Sequence, residues 1–364
     1  MQESLALMAL LHAKHIGPRT ARVLLAHYQT AEAVFRHKNK PKPNLPGIGP
    51  VVWESIKDKS IHQAAEKEWA RMEKNKISFL DFRDDAFPQA LNHCPDGPLM
   101  LFYSGKPIPK SNRILAIVGT RSASEKNISF TRTLIAKLKP YNPIIVSGLA
   151  HGIDICAHRS AIDHGLATFA CLAHGIRDCY PAYHAKTRRL MELGGGGCLT
   201  EFWSNTSVQK GNFLSRNRII AGVSVATLVI ASGVRGGAMS TARLAREYNR
   251  EVFAVPGGPY NPTHAGCNLL IKNHIAQLLD DPQDLIKSLG WKEKPEYKST
   301  QIDLFRSKKP EHHKIMNFLS DGPKMLDLIA LNTGLNVSHV ATLLFEMEML
   351  GIVRPLAGKQ FGLI

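Results

Sequence analysis

No apolar run in this chain approaches the roughly 20 residues needed to cross a bilayer. The opening stretch, MQESLALMALLHAKH, is too short in its apolar part and too amphipathic for a secretory signal. The expectation is a soluble cytoplasmic protein without membrane insertion. The six cysteines, Cys94, Cys156, Cys171, Cys179, Cys198 and Cys267, include no C-x-x-C pair. Several sit in apolar runs, which argues for buried free thiols rather than a disulfide frame or a zinc site. Acidic residues are scarce: 30 Asp and Glu face 46 Lys and Arg, a net charge of +16. That excess favours a polyanionic partner, either nucleic acid or a membrane surface. Residues 71–290 carry 26 basic and 16 acidic side chains, so anion binding is expected in the middle of the chain.

A length of 364 residues predicts two or three compact units. The first seventy residues read as short helices around two glycine-centred turns, His15-Ile16-Gly17-Pro18 and Leu45-Pro46-Gly47-Ile48-Gly49-Pro50. The second turn resembles a helix-hairpin-helix signature, whose glycine N–H groups can approach a phosphate, although ordinary turns in a helical bundle read the same way. From Ile114 onward, short apolar runs alternate with helical stretches: Ile114 to Val118, Ile144 to Ser147, Thr168 to Leu172, Cys198 to Glu201, Ala226 to Ile230 and Val252 to Val255. This pattern predicts an α/β fold, a Rossmann-like doubly wound core whose parallel sheet is covered on both faces. In such sheets ligands bind beyond the carboxyl ends of the strands, here the loops at Gly119, Gly148 and Pro256. The stretch 291–310 lacks an apolar period and is expected to be a flexible linker. Beyond it, three helical patterns and a hairpin over 311–364 suggest a winged helix. Its third helix, NVSHVATLLFEMEML, is expected to turn Val337, Val340, Ala341, Leu344 and Met347 inward. It holds two glutamates and no Arg or Lys, which favours protein contact over DNA reading.

Three loops carry candidate chemistry. FLSRNRIIAG, Phe213–Gly222, places Arg216, Asn217 and Arg218 ahead of an apolar helical segment. Guanidinium forks and the free N–H groups of a helix start are expected there together, a combination suited to phosphate. After the first strand, Gly119 permits a tight turn, Arg121 offers donors, and Ser122 and Ser124 add hydroxyls near a helix start. This loop follows neither G-x-G-x-x-G nor G-x-x-x-x-G-K-[ST], so NAD binding and ATP hydrolysis are poorly supported, and no cofactor is expected. After the second strand, Gly148, Ala150 and Gly152 let backbone approach an anion. His151, Asp154 and His158 would share a helix face, but a capping Asp with packed histidines is the commoner arrangement and no metal is expected.

These motifs together resemble the DNA-processing protein A family (DprA, also called Smf). VGTRSAS, SGLAHGID with Ala157-His158, RNRIIAG, Thr241-Ala242, VFAVPG at 252–257 and GCNLLI at 266–271 carry the resemblance, over about residues 80–285. It begins with Phe87-Pro88-x-x-Leu91 and Leu101-Phe102-Tyr103-x-Gly105. The resemblance implies an N-terminal helical domain of the SAM/helix-hairpin-helix kind (1–70), an extended Rossmann-like DNA-binding domain (71–290) and a C-terminal winged-helix domain. It further implies a non-enzymatic homodimer that binds incoming single-stranded DNA during natural transformation and loads the RecA recombinase onto it. By motif, Gly119, Arg121, Ser122, Gly148, Ala150, Gly152, Arg216, Asn217 and Arg218 would hold phosphates, and Phe213 would stack on a base. Where many relatives have glutamate after the fifth of these strands, this chain has Ala231, which removes a carboxylate from the expected pocket. Two other readings remain. Pro256-Gly257-Gly258 is similar to part of a phosphoribohydrolase loop on a related core, but no G-T and no acid follow it. A duplex-reading transcription regulator would use the winged helix, against the acidic character of its third helix.

Overall fold

The computed structural model describes residues 3–292, 309–350, 352–356, 358 and 360–363. Its contacts divide the chain into two compact units, residues 1–294 and 295–364. The first unit opens with helices α1 (Glu3–His12), α2 (Pro18–Tyr28), α3 (Ala31–His37), α4 (Pro50–Ser55) and α5 (Lys59–Lys74). Both glycine turns start a helix in the same way: Gly17 and Gly49 are N-caps, each followed by proline at the first helical position, where its fixed φ fits and its missing N–H costs nothing. Thr30 and Asp58 cap α3 and α5 through their side chains.

There follow β1 (Ser78–Asp81), α6 (Gln89–Asn92), β2 (Met100–Gly105), β3 (Ile114–Val118), α7 (Glu125–Leu138), β4 (Ile144–Ser147), α8 (Ile153–Asp163) and β5 (Thr168–Cys171). The unit continues through α9 (Ala185–Leu193), β6 (Gly197–Thr200), α10 (Lys210–Val223), β7 (Ala226–Val229), α11 (Gly237–Glu247), β8 (Glu251–Ala254), α12 (Ala265–Lys272), β9 (Gln277–Leu278) and α13 (Pro282–Ser288). Among the described residues the strands form a nine-stranded sheet in the order β1-β2-β6-β5-β4-β3-β7-β8-β9. From β6 to β9 every pairing is parallel, while β2 joins β6, and β1 joins β2, antiparallel. The fold is thus the expected Rossmann-like α/β core, with an antiparallel edge and the short β9 added.

Strand β3 shows how the sheet is covered. Ile114, Ala116 and Val118 enter the apolar cluster that holds residues of α10, α11 and α12. The alternate Leu115 and Ile117 enter the cluster on the other face, with residues of α7, α8 and α13. The N-terminal helices belong to the same body. One apolar cluster runs from Ala6, Leu24, Trp53 and Ala65 to Leu99, Phe102, Ala170 and Leu172 of the sheet region. Glu68, fully buried in α5, accepts from the Ser204 N–H at 2.6 Å. The residue-70 boundary read from the sequence falls inside α5.

The expected linker, 291–310, lies outside the described residues apart from its ends. Trp291 is tied to the core, against Tyr141 at 6.4 Å, and the Lys292 carbonyl accepts from Arg113 at 2.8 Å. In the second unit, α14 (Pro310–Leu319), β10 (Lys324–Met325), α15 (Leu326–Thr333), α16 (Val337–Met349), β11 (Val353–Leu356) and β12 (Gln360–Leu363) make a winged helix. Its sheet has the order β10-β12-β11, and α15 and α16 bend through 108°, the helix-turn-helix arrangement. The inward face of α16 is Val340, Leu343, Leu344 and Met347. Val337, expected inside, is exposed because it is the first residue of the helix, beyond the reach of the core.

Candidate functional site

Strand order decides where a ligand fits. Connections from β3 run toward β4 and those from β7 run toward β8, so the crevice between the loops after β3 and β7 is the switch point of the sheet. A cleft of about 340 Å³ opens there. Gly119, Thr120 and Arg121 come from the first loop, Ala150 and Asp154 from the region after β4, and Phe213, Arg216 and Asn217 from α10. Ser232, Gly233, Gly236, Gly237, Ala238 and Thr241 complete the wall, from the loop after β7 and the start of α11.

The floor is a buried pair of opposite charges. Arg216 donates from Nη1 to Gly148 O at 2.8 Å and to Cys171 O, and Asp154 accepts from the Gly148 N–H at 3.1 Å. Burial pushes the Asp154 carboxyl up and the Arg216 guanidinium down, and in each case the other's charge opposes the shift. A Cβ at Gly148 would lie 2.4 Å from Arg216 Nη1, so a larger residue there would displace the guanidinium from its seat. Gly152 carries φ +72° and its absent Cβ would lie 2.2 Å from Thr120 O, which locks the two loops together.

Above the floor stands Phe213. Its ring centroid is 5.2 Å from the exposed Arg121 guanidinium carbon and 5.9 Å from that of Arg216. Beside it α11 begins at Gly237, and its N-cap, Gly236, offers no capping side chain. The first turn of α11 lines the cleft with its backbone, a natural seat for an anion. Asn217 steadies that turn through Ser240 Oγ at 2.9 Å.

Of the residues singled out in the sequence, the cleft brings together Gly119, Arg121, Ala150, Phe213, Arg216 and Asn217. Gly148 and Gly152 act behind the wall. Ser122 is exposed outside the lining, and Ser124 caps α7 through the Asn127 N–H. Two expectations are corrected. Arg216, Asn217 and Arg218 do not start a helix; they lie in the middle of α10, which begins at Lys210, so their N–H groups are within the helix. And Arg218 leaves the cleft. Two positions from Arg216 on a helix is a rotation of roughly 200°, which directs Arg218 to an ion pair with Glu201 and to the Asp96 carbonyl.

Arg218 therefore borders a second, larger cleft of about 780 Å³ between α1, α2 and the sheet, walled largely by apolar side chains such as Leu11, Ile16, Phe202 and Leu214. It holds Arg19 at its mouth as well as the paired Arg218, but its apolar walls suit a phosphate less well than the glycine-lined smaller cleft. The histidines near α8 do not converge. His151 meets Tyr183, while His158 meets Thr168 at 2.7 Å inside the core. Asp154 is the one acid of the smaller cleft, and Ala231 is buried beside it, its carbonyl accepting from Thr120 N at 2.8 Å. Pro256, Gly257 and Gly258 lie outside the lining, and Gly257 is pinned by Asn268 at 3.0 Å.

Residues 78–290 match the profile of DNA recombination-mediator protein A, and residues 305–359 that of the DprA winged helix domain. The chain belongs to the DNA recombination-mediator protein A family. Protein Smf of Synechocystis sp. is 29% identical over 384 residues, covering 96% of each chain. DNA processing protein A from Streptococcus pneumoniae superposes with a TM-score of 0.65 at 26% identity, over 81% of this chain and 100% of that one. The Helicobacter pylori DNA processing protein A, described for its single-stranded DNA binding mode, superposes with a TM-score of 0.52 at 27% identity, over 59% and 97%. The α/β core and the winged helix are thus shared with known family members. Among the described residues no single helix is long and apolar enough to cross a membrane.

The loop after β7 entered the expected pocket only through the resemblance, at Ala231, and the first turn of α11 was not singled out as an anion seat. The glycines of Gly233 to Gly237 were the available signal, but their meaning depends on β7 lying beside β3, which only the strand order supplies.

Proposed function

We propose that the cleft at the switch point binds single-stranded DNA, with a phosphate over the first turn of α11 beside Arg121 and an unpaired base on Phe213. The observation that carries this is the Phe213 ring within 6 Å of two guanidiniums, in a cleft otherwise walled mainly by Gly, Ala, Ser and Thr. Small residues let a nucleic-acid backbone come close. An aromatic face accepts any base, and the excess of 16 positive charges draws the strand in. The single-stranded DNA binding mode of the H. pylori relative supports the same reading.

On this reading the chain is a recombination mediator rather than an enzyme. It holds incoming DNA during natural transformation, protects it and passes it to the RecA recombinase in the cytoplasm. A homodimer would place two clefts on one strand and raise avidity by effective concentration. The burial of Asp154 under Arg216 and Gly148 supports a structural carboxylate in place of a general base. Binding of labelled single-stranded and duplex oligonucleotides across a salt series tests the reading. Single strands should bind more tightly, with little sequence preference and a steep decline with salt as counterions return to the phosphates. Equal or tighter binding of a defined duplex would instead favour the winged-helix regulator.

A further inference from the structure

The loop after β5 ends in Arg177-Asp178-Cys179-Tyr180-Pro181-Ala182-Tyr183-His184, and two aromatic contacts tie it to the cleft. Tyr180 stands edge-on to Phe213, with ring centroids 6.2 Å apart. Tyr183 packs on His151 at 5.0 Å and edge-on to His184 at 4.7 Å. His151 follows directly on Ala150 of the cleft wall, and His184 is buried, its Nδ1 2.8 Å from the Leu149 carbonyl. The loop is thus held at the cleft from both sides. Even so, Tyr180 and Tyr183 remain 47% and 62% exposed. Large rings fixed by aromatic neighbours and left open to solvent provide stacking faces whose ordering cost is already met. Arg159 adds positive charge near His184, against the single acid of the loop, Asp178.

We infer that Tyr180 and Tyr183 form a base-stacking platform that carries a single strand out of the cleft, Tyr180 beside the base on Phe213 and Tyr183, backed by His151, beyond it. The platform rests on the proposed reading of the cleft as a single-stranded DNA site. Its occupant is the unpaired nucleobase, because a duplex has both faces of its bases already stacked.

The test uses the full chain and two strands of equal length, oligo(dT) and an abasic deoxyribose-phosphate strand. Tyr183→Ala should weaken oligo(dT) binding about tenfold, as loss of one base stack does, while leaving abasic binding unchanged. Tyr183→Trp should restore the affinity, and its fluorescence should be quenched by oligo(dT) but not by the abasic strand. Circular dichroism checks that the variants fold. Undiminished oligo(dT) binding by both Tyr183→Ala and Tyr180→Ala would overturn the platform while leaving the cleft reading intact. An equal loss on both strands, or a loss that tracks a change in oligomeric state, would also overturn it. Failure of the wild type to hold either strand would sink the cleft reading and the platform with it.

Discussion

Arg216 and Arg121 share a cleft and an aromatic neighbour, yet their surroundings assign them different work. Arg216 is 4% exposed, bonded to two carbonyls and set against Asp154, so its removal leaves a buried carboxylate without its counter-charge. Arg216→Ala should therefore lose about 3–5 kcal/mol of stability, measured by urea unfolding, and Arg216→Lys should not rescue it, since an ammonium cannot reproduce the planar fork. A fully stable Arg216→Ala protein would contradict this account of the floor. His158 gives a pH signature. Thr168 Oγ1 donates to the Ile145 carbonyl at 2.9 Å, so the His158 Nδ1–H donates to Thr168, and Nε2 is left buried without a partner among the described residues. Burial lowers its pKa from 6.5 to about 3. Because the folded value lies below the unfolded one, the native state binds fewer protons. Stability is full above pH 6.5 and declines as pH falls toward 3. The unfolding free energy of the wild type relative to His158→Gln should drop by about 2 kcal/mol between pH 7 and pH 5. A pH-independent difference would show that His158 titrates normally.

At the scale of elements, periodicity reads strands well and helix starts less well. The six parallel strands from Ile114 to Ala254 were legible because each is a short apolar run. The start of α10 was not legible. Lys210-Gly211-Asn212 carries neither a capping side chain nor an apolar period, so the sequence puts the helix start at the arginines, less than about two turns too late, and Arg218 on the wrong face. β1 and β2 were missed for a different reason, since antiparallel edge strands depend on a distant partner, β6. In the winged helix, the outward side of α16 shows Thr342, Phe345, Glu348 and Met349, and the helix has no Arg or Lys to meet phosphate. A chain ending at residue 292 should therefore keep single-stranded DNA affinity within about threefold of the full chain in a direct titration, since every residue that lines the cleft is retained. A loss of tenfold or more would place necessary contacts in the second unit.

For the whole molecule, charge and topology converge on one place. The switch point between β3 and β7, the loops after β3 and β4 and the middle of α10 meet at a cleft of about 340 Å³ within the part of the chain that carries most of the positive excess. The family was legible from the sequence motifs, but the division of labour among their residues was not, because burial and strand order decide it. The N-terminal helices share an apolar cluster with Leu99, Phe102 and Leu172, so they stabilise the body that presents the cleft. The most direct measurement of the central claim is the affinity of Arg121→Ala and Phe213→Ala for labelled oligo(dT), beside the wild type and with unfolding curves for all three. The account predicts native stability for Arg121→Ala, at most a modest loss for the half-buried Phe213→Ala, and about tenfold weaker binding for each, the effect of one charged contact or one base stack. Wild-type affinity in both folded variants would contradict it and move the DNA site away from the switch point.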